Sequence, residues 1–543
     1  MTKLNDVNTT DIYDGIRLGC QTMCNVFEPE RNIPRFGAIV RPEVRLGKGY
    51  EAHVSGRHLN ALLNAEDAIG IKIDEKCIQK HSNAAFLSYG GSIALPLQRP
   101  KAKHIQNPES ESSKPTQHVD VIGFGNENPD IETLRTHNIR EGFHALYSLV
   151  KFRNSSKAQR FAESSITAIF DYWNPNSDWD YDRLARDHGL KFDLDKTFIV
   201  GIARSIGPLV KYYEATGYGK ALELAIILKE KTINEFFIGD GSYDVDKFGD
   251  HVHSTTCVMS SLAQLADLTS DSTLINRVKT FYDNGLWELR DELGWSYEGK
   301  SPEDFPDSGE SNNTGDILET ALILGKWGFT EYYHDAERIL SCHLLPSQLR
   351  DISFIEDSCK SDDDSTRDVG NRLKGAFGFP APYGHEPVGP TNGVRFNLDI
   401  VGGAVGSLCE AFRQVTQYAE SGHKVNLLFD HETSHIKVES PYTNSCLKIT
   451  LKRQGPLFVR IPPWTNQHEM KITGHLETPT VTNGYLFFSN PPINNPISFD
   501  FTLPENEVVL KHQTHDIRAK LRGDEVIAMD SFGADLTFFD PIQ

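Results

Sequence analysis

The sequence predicts a multidomain α+β chain, in which a closed barrel of paired helices is followed by a C-terminal antiparallel β-sandwich. Two patterns carry this prediction. From about residue 130 to 350, apolar residues recur at three- and four-residue steps in successive pairs of segments, which is typical of helical hairpins. After about residue 424 the apolar period changes to two, which is typical of half-buried strands.

The chain is expected to divide into three parts. Residues 1–120 form an N-terminal segment that leads into the barrel, residues 121–420 form the barrel, and residues 421–543 form the β-sandwich. Within the first part, residues 58–69 are a helical candidate that ends before a glycine. The polar residues 101–118 are expected to form a surface loop.

The helical repeat is clearest at residues 197–217. Apolar side chains from Ile199 to Tyr213 form one stripe, the helix is expected to end at Thr216-Gly217, and a second helix follows. Similar pairs lie before and after this one, and a fourth copy covers residues 314–349. Such hairpins either stack into an open solenoid or close into a ring. The long loops between them favour the closed barrel.

The C-terminal part alternates apolar and polar side chains. Leu447, Ile449 and Leu451 alternate with polar residues, and residues 497–503 repeat the pattern. Six or more short strands at turn-marked intervals favour a β-sandwich.

Composition excludes several classes of protein. Among 543 residues, 55 are basic and 75 acidic, so the net charge of −20 repels nucleic acid. The hydrophobic share of 38% is too high for a disordered chain, and no apolar stretch is long enough to span a membrane. We therefore expect neither nucleic acid nor a membrane as a partner, while assembly into a homo-oligomer stays open.

The eight cysteines are scattered, with no CxxC pair, which argues against a zinc ribbon and against a disulfide framework. The N-terminal residues lack the pattern of a secretion signal, which predicts a cytoplasmic protein, or a periplasmic one if a leader has been removed.

Three carboxylates lie beside predicted helix starts. Glu310 and Asp316 flank one such start, and Asp399 precedes a glycine pair and another helix. Helix capping is the alternative for Asp316 and Asp399, whereas Glu310 has no such local role. A pair of carboxylates across a pocket is the usual equipment for cleaving glycosidic bonds.

Other polar residues begin the helical hairpins. His251 and His253 lie at the start of one hairpin, and His137 and Arg140 at the start of an earlier one. In a closed barrel these side chains would converge on one pocket. The remaining residues expected to bind substrate, for which ion-pair or core roles are the alternatives, are Arg57, His58, Trp295 and Arg395.

Residues 130–530 resemble the β-L-arabinofuranosidases of glycoside hydrolase family 127. The resemblance rests mainly on the phrase RIPPWT with its following strands, and on the helix phrase GDILETALILG. It implies an (α/α)6 barrel, a β-sandwich and a glycosidase pocket at the barrel mouth.

The sequence departs from this family at the zinc site. The family's Glu-Thr-Cys motif falls on Asn313-Thr314-Gly315, and its adjacent cysteine pair, one of which is the nucleophile, falls near Asp399-Ile400. These residues cannot form a thiolate-rich zinc site. We therefore expect no metal, no other cofactor and no cysteine nucleophile.

Glu298, Glu303 and Glu310 all lie in the region of the family's acid/base residue. Our hypothesis is a metal-free carboxylate pair, formed by Asp399 with Glu310 or Glu298.

The leading functional prediction is an exo-acting glycoside hydrolase for plant or algal oligosaccharides that contain arabinofuranose or uronic acid. Arg57, Arg140 and Arg395 are possible partners for a uronate. An alternative is a sugar epimerase or isomerase that uses His251 and His253 as acid and base. A third is a non-catalytic carbohydrate-binding protein.

Overall fold

A computed structural model describes residues 2–98, 131–192, 197–299, 307–357, 359–388, 393–512 and 515–542. The loop expected at 101–118 lies outside these residues, as does Glu303.

The helices, numbered in chain order, are α1 (Ile12–Asn25), α2 (Val54–Ile69), α3 (Glu75–Ser88), α4 (Ile139–Arg153), α5 (Ser156–Tyr172), α6 (Tyr181–His188), α7 (Ile206–Thr216), α8 (Gly219–Glu235), α9 (Val245–Phe248), α10 (Val252–Thr269), α11 (Ser272–Asp283), α12 (Ser311–Lys326), α13 (Glu331–Ile339), α14 (Val369–Leu373) and α15 (Leu398–Val415).

Six helices form a closed inner ring. They contact one another in the order α2, α4, α7, α10, α12 and α15, and α15 contacts α2. The outer helices α3, α5, α8, α11 and α13 each pack against the inner helix that precedes them, while α1 packs against α15. The hairpins therefore close into a barrel instead of stacking into a solenoid. From the expected N-terminal segment, α2 belongs to this ring, and α1 and α3 belong to the outer layer of the barrel.

Local sequence explains how the ring helices end and meet. Helix α7 ends at Gly217, which adopts a left-handed conformation with φ of 71°, as its sequence predicts. Where α2 and α15 cross, a Cβ atom on Gly402 would lie 2.8 Å from the backbone of Arg57. Glycine therefore permits the close contact of these two helices.

The strands occur mainly after α15. They are β1 (Gly37–Ile39), β2 (Arg45–Leu46), β3 (Leu97–Gln98), β4 (Thr133–Leu134), β5 (Trp173–Asn174), β6 (Asp178–Trp179), β7 (Lys191–Phe192), β8 (Arg395–Asn397), β9 (Thr416–Ala419), β10 (Gly422–Val425), β11 (His431–Glu432), β12 (Ile436–Glu439), β13 (Leu447–Leu451), β14 (Leu457–Arg460), β15 (Lys471–Thr473), β16 (Thr480–Thr482), β17 (Tyr485–Phe488), β18 (Ile497–Asp500), β19 (Glu505–Lys511), β20 (Asp516–Arg522) and β21 (Glu525–Met529).

Two five-stranded sheets follow the barrel, in the orders β16-β17-β14-β10-β9 and β11-β12-β13-β18-β15. Their buried side chains form one hydrophobic cluster, separate from the barrel core. Leu447, Ile449 and Leu451 point into it, as their spacing predicts. Strands β10 and β14 pair in parallel, which departs from the purely antiparallel expectation.

A third C-terminal sheet, β19-β20-β21, packs differently. Its buried residues Leu510, Ile517 and Leu521 belong to the same hydrophobic cluster as the barrel. This sheet therefore stabilises the barrel directly. Among the described residues, no helix is both long and apolar enough to cross a membrane.

Candidate active site

A pocket of about 180 Å³ lies at one end of the helical ring. The N-terminal ends of inner helices meet there: His53 precedes α2, His251 precedes α10, Glu310 precedes α12, and Asp399 lies in the first turn of α15. Of the residues that the sequence singled out, seven line this pocket: Arg57, His137, His251, His253, Glu298, Glu310 and Asp399.

Glu310 is a buried carboxyl group with an unusual proton affinity. Its side chain does not cap α12, and its Oε1 accepts a hydrogen bond of 2.9 Å from Nδ2 of Asn312. Burial, followed by the negative charges of Asp399 and Glu298, raises the pKa of Glu310 to about 8. The group is therefore protonated at neutral pH and can serve as an acid.

Asp399 lies in the same pocket, and its pKa is shifted in the opposite direction. Its Oδ2 is 3.2 Å from Nε2 of His53 and 3.7 Å from Nε of Arg57. Burial alone would raise the pKa of Asp399, but His53 and Arg57 outweigh it and lower the pKa below its ordinary value. Its other oxygen, Oδ1, makes no hydrogen bond within the described residues. Oδ1 is also buried, so Asp399 is an ionised carboxylate that is held through Oδ2.

Five rings follow one another along one side of the pocket, and we call them the aromatic row: Tyr50, His53, His137, His251 and His253. The first three are stacked, with ring centres 5.4 and 5.3 Å apart. The last two continue the row edge to face, at 5.3 and 5.8 Å. Burial lowers the pKa of both His137 and His253 well below the ordinary value, so these two rings are neutral.

Beneath the pocket, one buried carboxylate binds three arginines. Oε1 of Glu141 lies 3.1, 3.2 and 3.0 Å from the guanidinium groups of Arg57, Arg140 and Arg204 respectively. Burial opposes the charge of Glu141, but the arginines and His53 hold its pKa well below the ordinary value. We call these four residues the arginine cluster. It joins α2, α4 and the short turn before α7 at the centre of the barrel.

Asp316 does not cap a helix, so the capping interpretation is wrong. It lies inside α12, below Glu310, because the helix already begins at Ser311. Its Oδ2 accepts a hydrogen bond of 3.1 Å from Thr256 and lies 3.4 Å from Nε2 of His253. Burial raises the pKa of Asp316 to about 7.

Asp316 and Arg140 line a second, deeper cavity of about 30 Å³, and neither lines the pocket. Arg57 lines both spaces. The structure therefore places two of the predicted site residues one layer below the pocket.

Glu298 and Arg395 neutralise one another. Nη2 of Arg395 lies 2.5 Å from Oε2 of Glu298, and Oγ of Ser308 donates to the same oxygen at 3.0 Å. Glu298 lines the pocket as an ion-paired carboxylate. Glu310, by contrast, has no arginine within ion-pair distance among the described residues to neutralise a negative charge on it.

Two further predicted substrate-binding residues, like Arg140 and Arg395, lie outside the lining of the pocket. His58 is fully buried, and its Nε2 contacts the carbonyl oxygen of Leu398 at 2.6 Å. Trp295 is also buried; its Nε1 donates to the carbonyl of Pro380 at 2.8 Å and its ring stacks on His512. Both side chains hold neighbouring segments in place.

The residues at the family's zinc positions do not fit a thiolate-rich site. Asn313 donates a hydrogen bond to the carbonyl of Tyr297, and a Cβ atom on Gly315 would lie 2.7 Å from Oγ of Ser407. Asp399, at the position of the cysteine pair, offers an oxygen ligand only.

A different trio, His253, Cys257 and Asp316, has its ligand atoms within 4.8 Å of one another. These are ligand types that zinc accepts. However, guanidinium nitrogens lie 3.3 and 3.4 Å from the His253 ring and 3.8 Å from Asp316. Because these positive charges repel a cation, the trio is a poor metal site.

Sequence reasoning missed several residues that complete the site. Asn138 contacts both His53 and Tyr50, and Arg204 completes the arginine cluster. Arg135 and Phe379 line the pocket. Asn138 could have been predicted, because it directly follows His137, which the sequence analysis assigned to the site. Arg204 could not, because it lies within an apolar helical stripe and no sequence pattern marks it as a site residue.

No model of a known protein family matches the sequence, and no curated protein matches it. Solved structures share its fold. A GH127 β-arabinofuranosidase has a TM-score of 0.54 and 13% identity, covering 95% of this chain and 78% of its own. The GH127 β-L-arabinofuranosidase of Geobacillus stearothermophilus T6 has a TM-score of 0.54 and 13% identity, covering 96% and 86%.

A protein described as a glycoside hydrolase has a TM-score of 0.53 and 11% identity, covering 92% of this chain and 84% of its own. At such low identity these likenesses establish the fold alone. The chain shares the fold of the GH127 β-L-arabinofuranosidases, which confirms the helical barrel that the sequence resemblance implies.

Proposed function

We propose that the protein is an exo-acting glycoside hydrolase in which Glu310 donates the proton and Asp399 acts as nucleophile or base. One observation carries this proposal: two carboxyl groups line one pocket, and their pKa values are shifted in opposite directions. Glycosidic cleavage requires two carboxyl groups in different protonation states, because one must begin the reaction protonated and the other ionised.

The reaction follows from these protonation states. Glu310 gives its proton to the glycosidic oxygen as the bond to the anomeric carbon breaks. The ionised carboxylate of Asp399, which lines the same pocket, then stabilises the positive charge that develops on the sugar. As a nucleophile it bonds to the anomeric carbon, and water deprotonated by the Glu310 carboxylate then cleaves that bond; as a base it takes a proton from the water that attacks the anomeric carbon. Retention of configuration would indicate the first role, and inversion the second.

The shape of the site supports cleavage of a terminal sugar. The reactive pair lies in a pocket at one end of a closed ring of helices. The five residues of the aromatic row all line this pocket beside the reactive pair. We also infer that the two five-stranded sheets form a β-sandwich appended to the barrel, since they share one hydrophobic cluster.

A neutral sugar fits the charges better than a uronate. Arg57 and Arg140 both bind Glu141, and Arg395 binds Glu298. A substrate carboxylate would have to displace these partners. The GH127 structural neighbours are named as β-arabinofuranosidases, and we infer that this protein likewise removes a neutral pentose.

The epimerase alternative is weaker at the same site. A two-base epimerase needs two histidines that exchange protons with the sugar. His253 contacts Arg57 and Arg204 through its ring nitrogens and lies 3.4 Å from Asp316, so its nitrogens are already engaged.

Hydrolysis is tested by product analysis. The purified protein is incubated with 4-nitrophenyl glycosides, both neutral pentosides and uronides, and with short oligosaccharides of each kind. Release of nitrophenol and of one terminal sugar, faster from a pentoside, would support the proposal. The Glu310→Gln/Asp399→Asn double variant is the control for contaminating enzymes. An epimerised product, or binding without turnover across the panel, would contradict it.

A further inference from the structure

His53 is the most constrained side chain beside Asp399. It is buried, and both ring nitrogens have partners: Nε2 lies 3.2 Å from Oδ2 of Asp399, and Nδ1 lies 3.0 Å from Oδ1 of Asn138. The ring is also stacked between Tyr50 and His137, within 16° of parallel on each face. Rotation of the ring would break all four contacts.

The same contacts link three parts of the barrel. Asp399 belongs to α15, His53 precedes α2, and Asn138 lies in the turn before α4. Nδ2 of Asn138 donates in turn to the hydroxyl of Tyr50 at 2.9 Å. His53 is therefore held by a chain of hydrogen bonds that does not depend on substrate.

We propose that His53 is a positioning residue that holds Oδ2 of the Asp399 carboxylate and so fixes the orientation of that carboxylate toward the sugar or the attacking water. This inference rests on the proposed function, because it assigns a role within the same site. Among the described residues, His53 is the hydrogen-bond partner of that carboxylate. Nε of Arg57, at 3.7 Å, contributes charge without a hydrogen bond and is shared with Glu141.

The charged and titratable groups that act on Asp399 come from each neighbouring helix. They are His53, Arg57 and His58 at α2, Glu141 on α4, and Glu310 at the start of α12. Of these, His53 and Arg57 lower the pKa of Asp399, and Glu141 raises it. Removing the imidazole should therefore raise the pKa of Asp399, which sets the acid limb of the pH profile. The pKa of Glu310, which sets the alkaline limb, should stay unchanged.

The test compares pH profiles of kcat/KM for the full-length protein and three variants. In His53→Gln the acid limb should move up by about one pH unit while the alkaline limb stays in place. Asn138→Ala, which loosens the ring without removing it, should shift the same limb less. His81→Gln removes another buried imidazole, on α3, and should leave both limbs unchanged. Circular dichroism over the same pH range separates acid unfolding from titration.

An acid limb that is unmoved in both His53→Gln and Asn138→Ala would overturn the positioning role. If the wild-type protein hydrolyses no glycoside, the proposed function fails, and a second measurement still tests the contact. His53→Gln, Asp399→Asn and the double variant are compared by thermal unfolding. The Tm of the double variant should fall by less than the sum of the decreases in the two single variants, because each single change already breaks the same contact. Additive losses would overturn the inference independently of activity.

Discussion

Glu310 and Asp399 line the same pocket, where burial and the negative charge of Asp399 raise the pKa of Glu310 to about 8. The neighbour that makes Glu310 an acid is itself kept ionised by His53 and Arg57. The two protonation states are thus linked by the geometry of α12 and α15.

Replacing Glu310 tests the assignment of the proton donor. Glu310→Gln should lower kcat by about 10²- to 10⁴-fold on substrates with poor leaving groups, because the departing oxygen is no longer protonated. The loss should be smaller for 4-nitrophenyl glycosides, whose leaving group needs little protonation. Glu298→Gln is the matched control, since Glu298 lines the pocket but is paired with Arg395. A greater loss in Glu298→Gln than in Glu310→Gln would assign the acid to Glu298.

Replacing Asp399 tests the second carboxyl group. Asp399→Asn keeps the side-chain volume but removes the negative charge, so turnover should fall by at least about 10²-fold for all leaving groups alike. Initial rates on activated and unactivated glycosides measure this. Proton NMR of the first product formed by the wild-type protein reports retention or inversion. Turnover within a few-fold of wild type would rule out Asp399 in either role.

The pH dependence of kcat/KM should be bell-shaped. Glu310 must be protonated to react, so activity should fall as the pH rises through about 8. Asp399 must be ionised, and since its pKa is below the ordinary value of 3.8, the acid limb should lie below that pH. A spectrophotometric assay over a wide pH range gives both limbs. Activity that declines already between pH 5 and 7 would contradict this assignment.

Glu141→Gln should destabilise the barrel. Three buried arginines would lose the carboxylate that neutralises them, at a cost of about 3–5 kcal/mol. Thermal unfolding measures this loss. The matched control is Glu235→Gln, whose exposed pairing with Lys231 contributes less than about 1 kcal/mol. Equal losses of Tm in the two variants would show that the arginine cluster does not stabilise the fold.

His512 should make stability depend on pH in the alkaline range. Burial opposes its charge, but Asp291 at 3.1 Å and Asp307 at 3.6 Å raise the pKa of His512 to about 9. Because the folded pKa lies above the unfolded value of 6.5, the stabilisation is complete below 6.5 and is lost as the pH rises through about 9. The Tm difference between wild type and His512→Gln should therefore be larger at about pH 6 than at about pH 10. A constant difference would mean that His512 carries no charge in the fold.

The hairpins and strands could be predicted because their signals are local. The stripe that ends at Gly217 and the alternation from Leu447 to Leu451 each need only a few neighbouring residues. The partner of α1 could not be predicted, since it packs against α15, at the far end of the barrel sequence.

The site could be predicted in part for a related reason. Glu310 and Asp399 stand at helix starts that the sequence reveals, and a closed ring brings such starts together. The capping interpretation of Asp316 was wrong because the start of α12 was placed several residues too late. The arginine cluster left no sequence pattern, since Arg204 and Glu141 meet only across helices.

The ring closes between α2 and α15, and His53 and Asp399 lie 346 residues apart in the chain. On the ribosome, five of the six inner helices emerge before the last one can join them. Until then the sides of α2 and α12 that α15 covers are exposed, and chaperones bind such apolar surfaces. The nascent chain also lacks Asp399, one of the two carboxyl groups proposed to react. The proposed pair is therefore assembled late in translation, in the same event that completes the barrel.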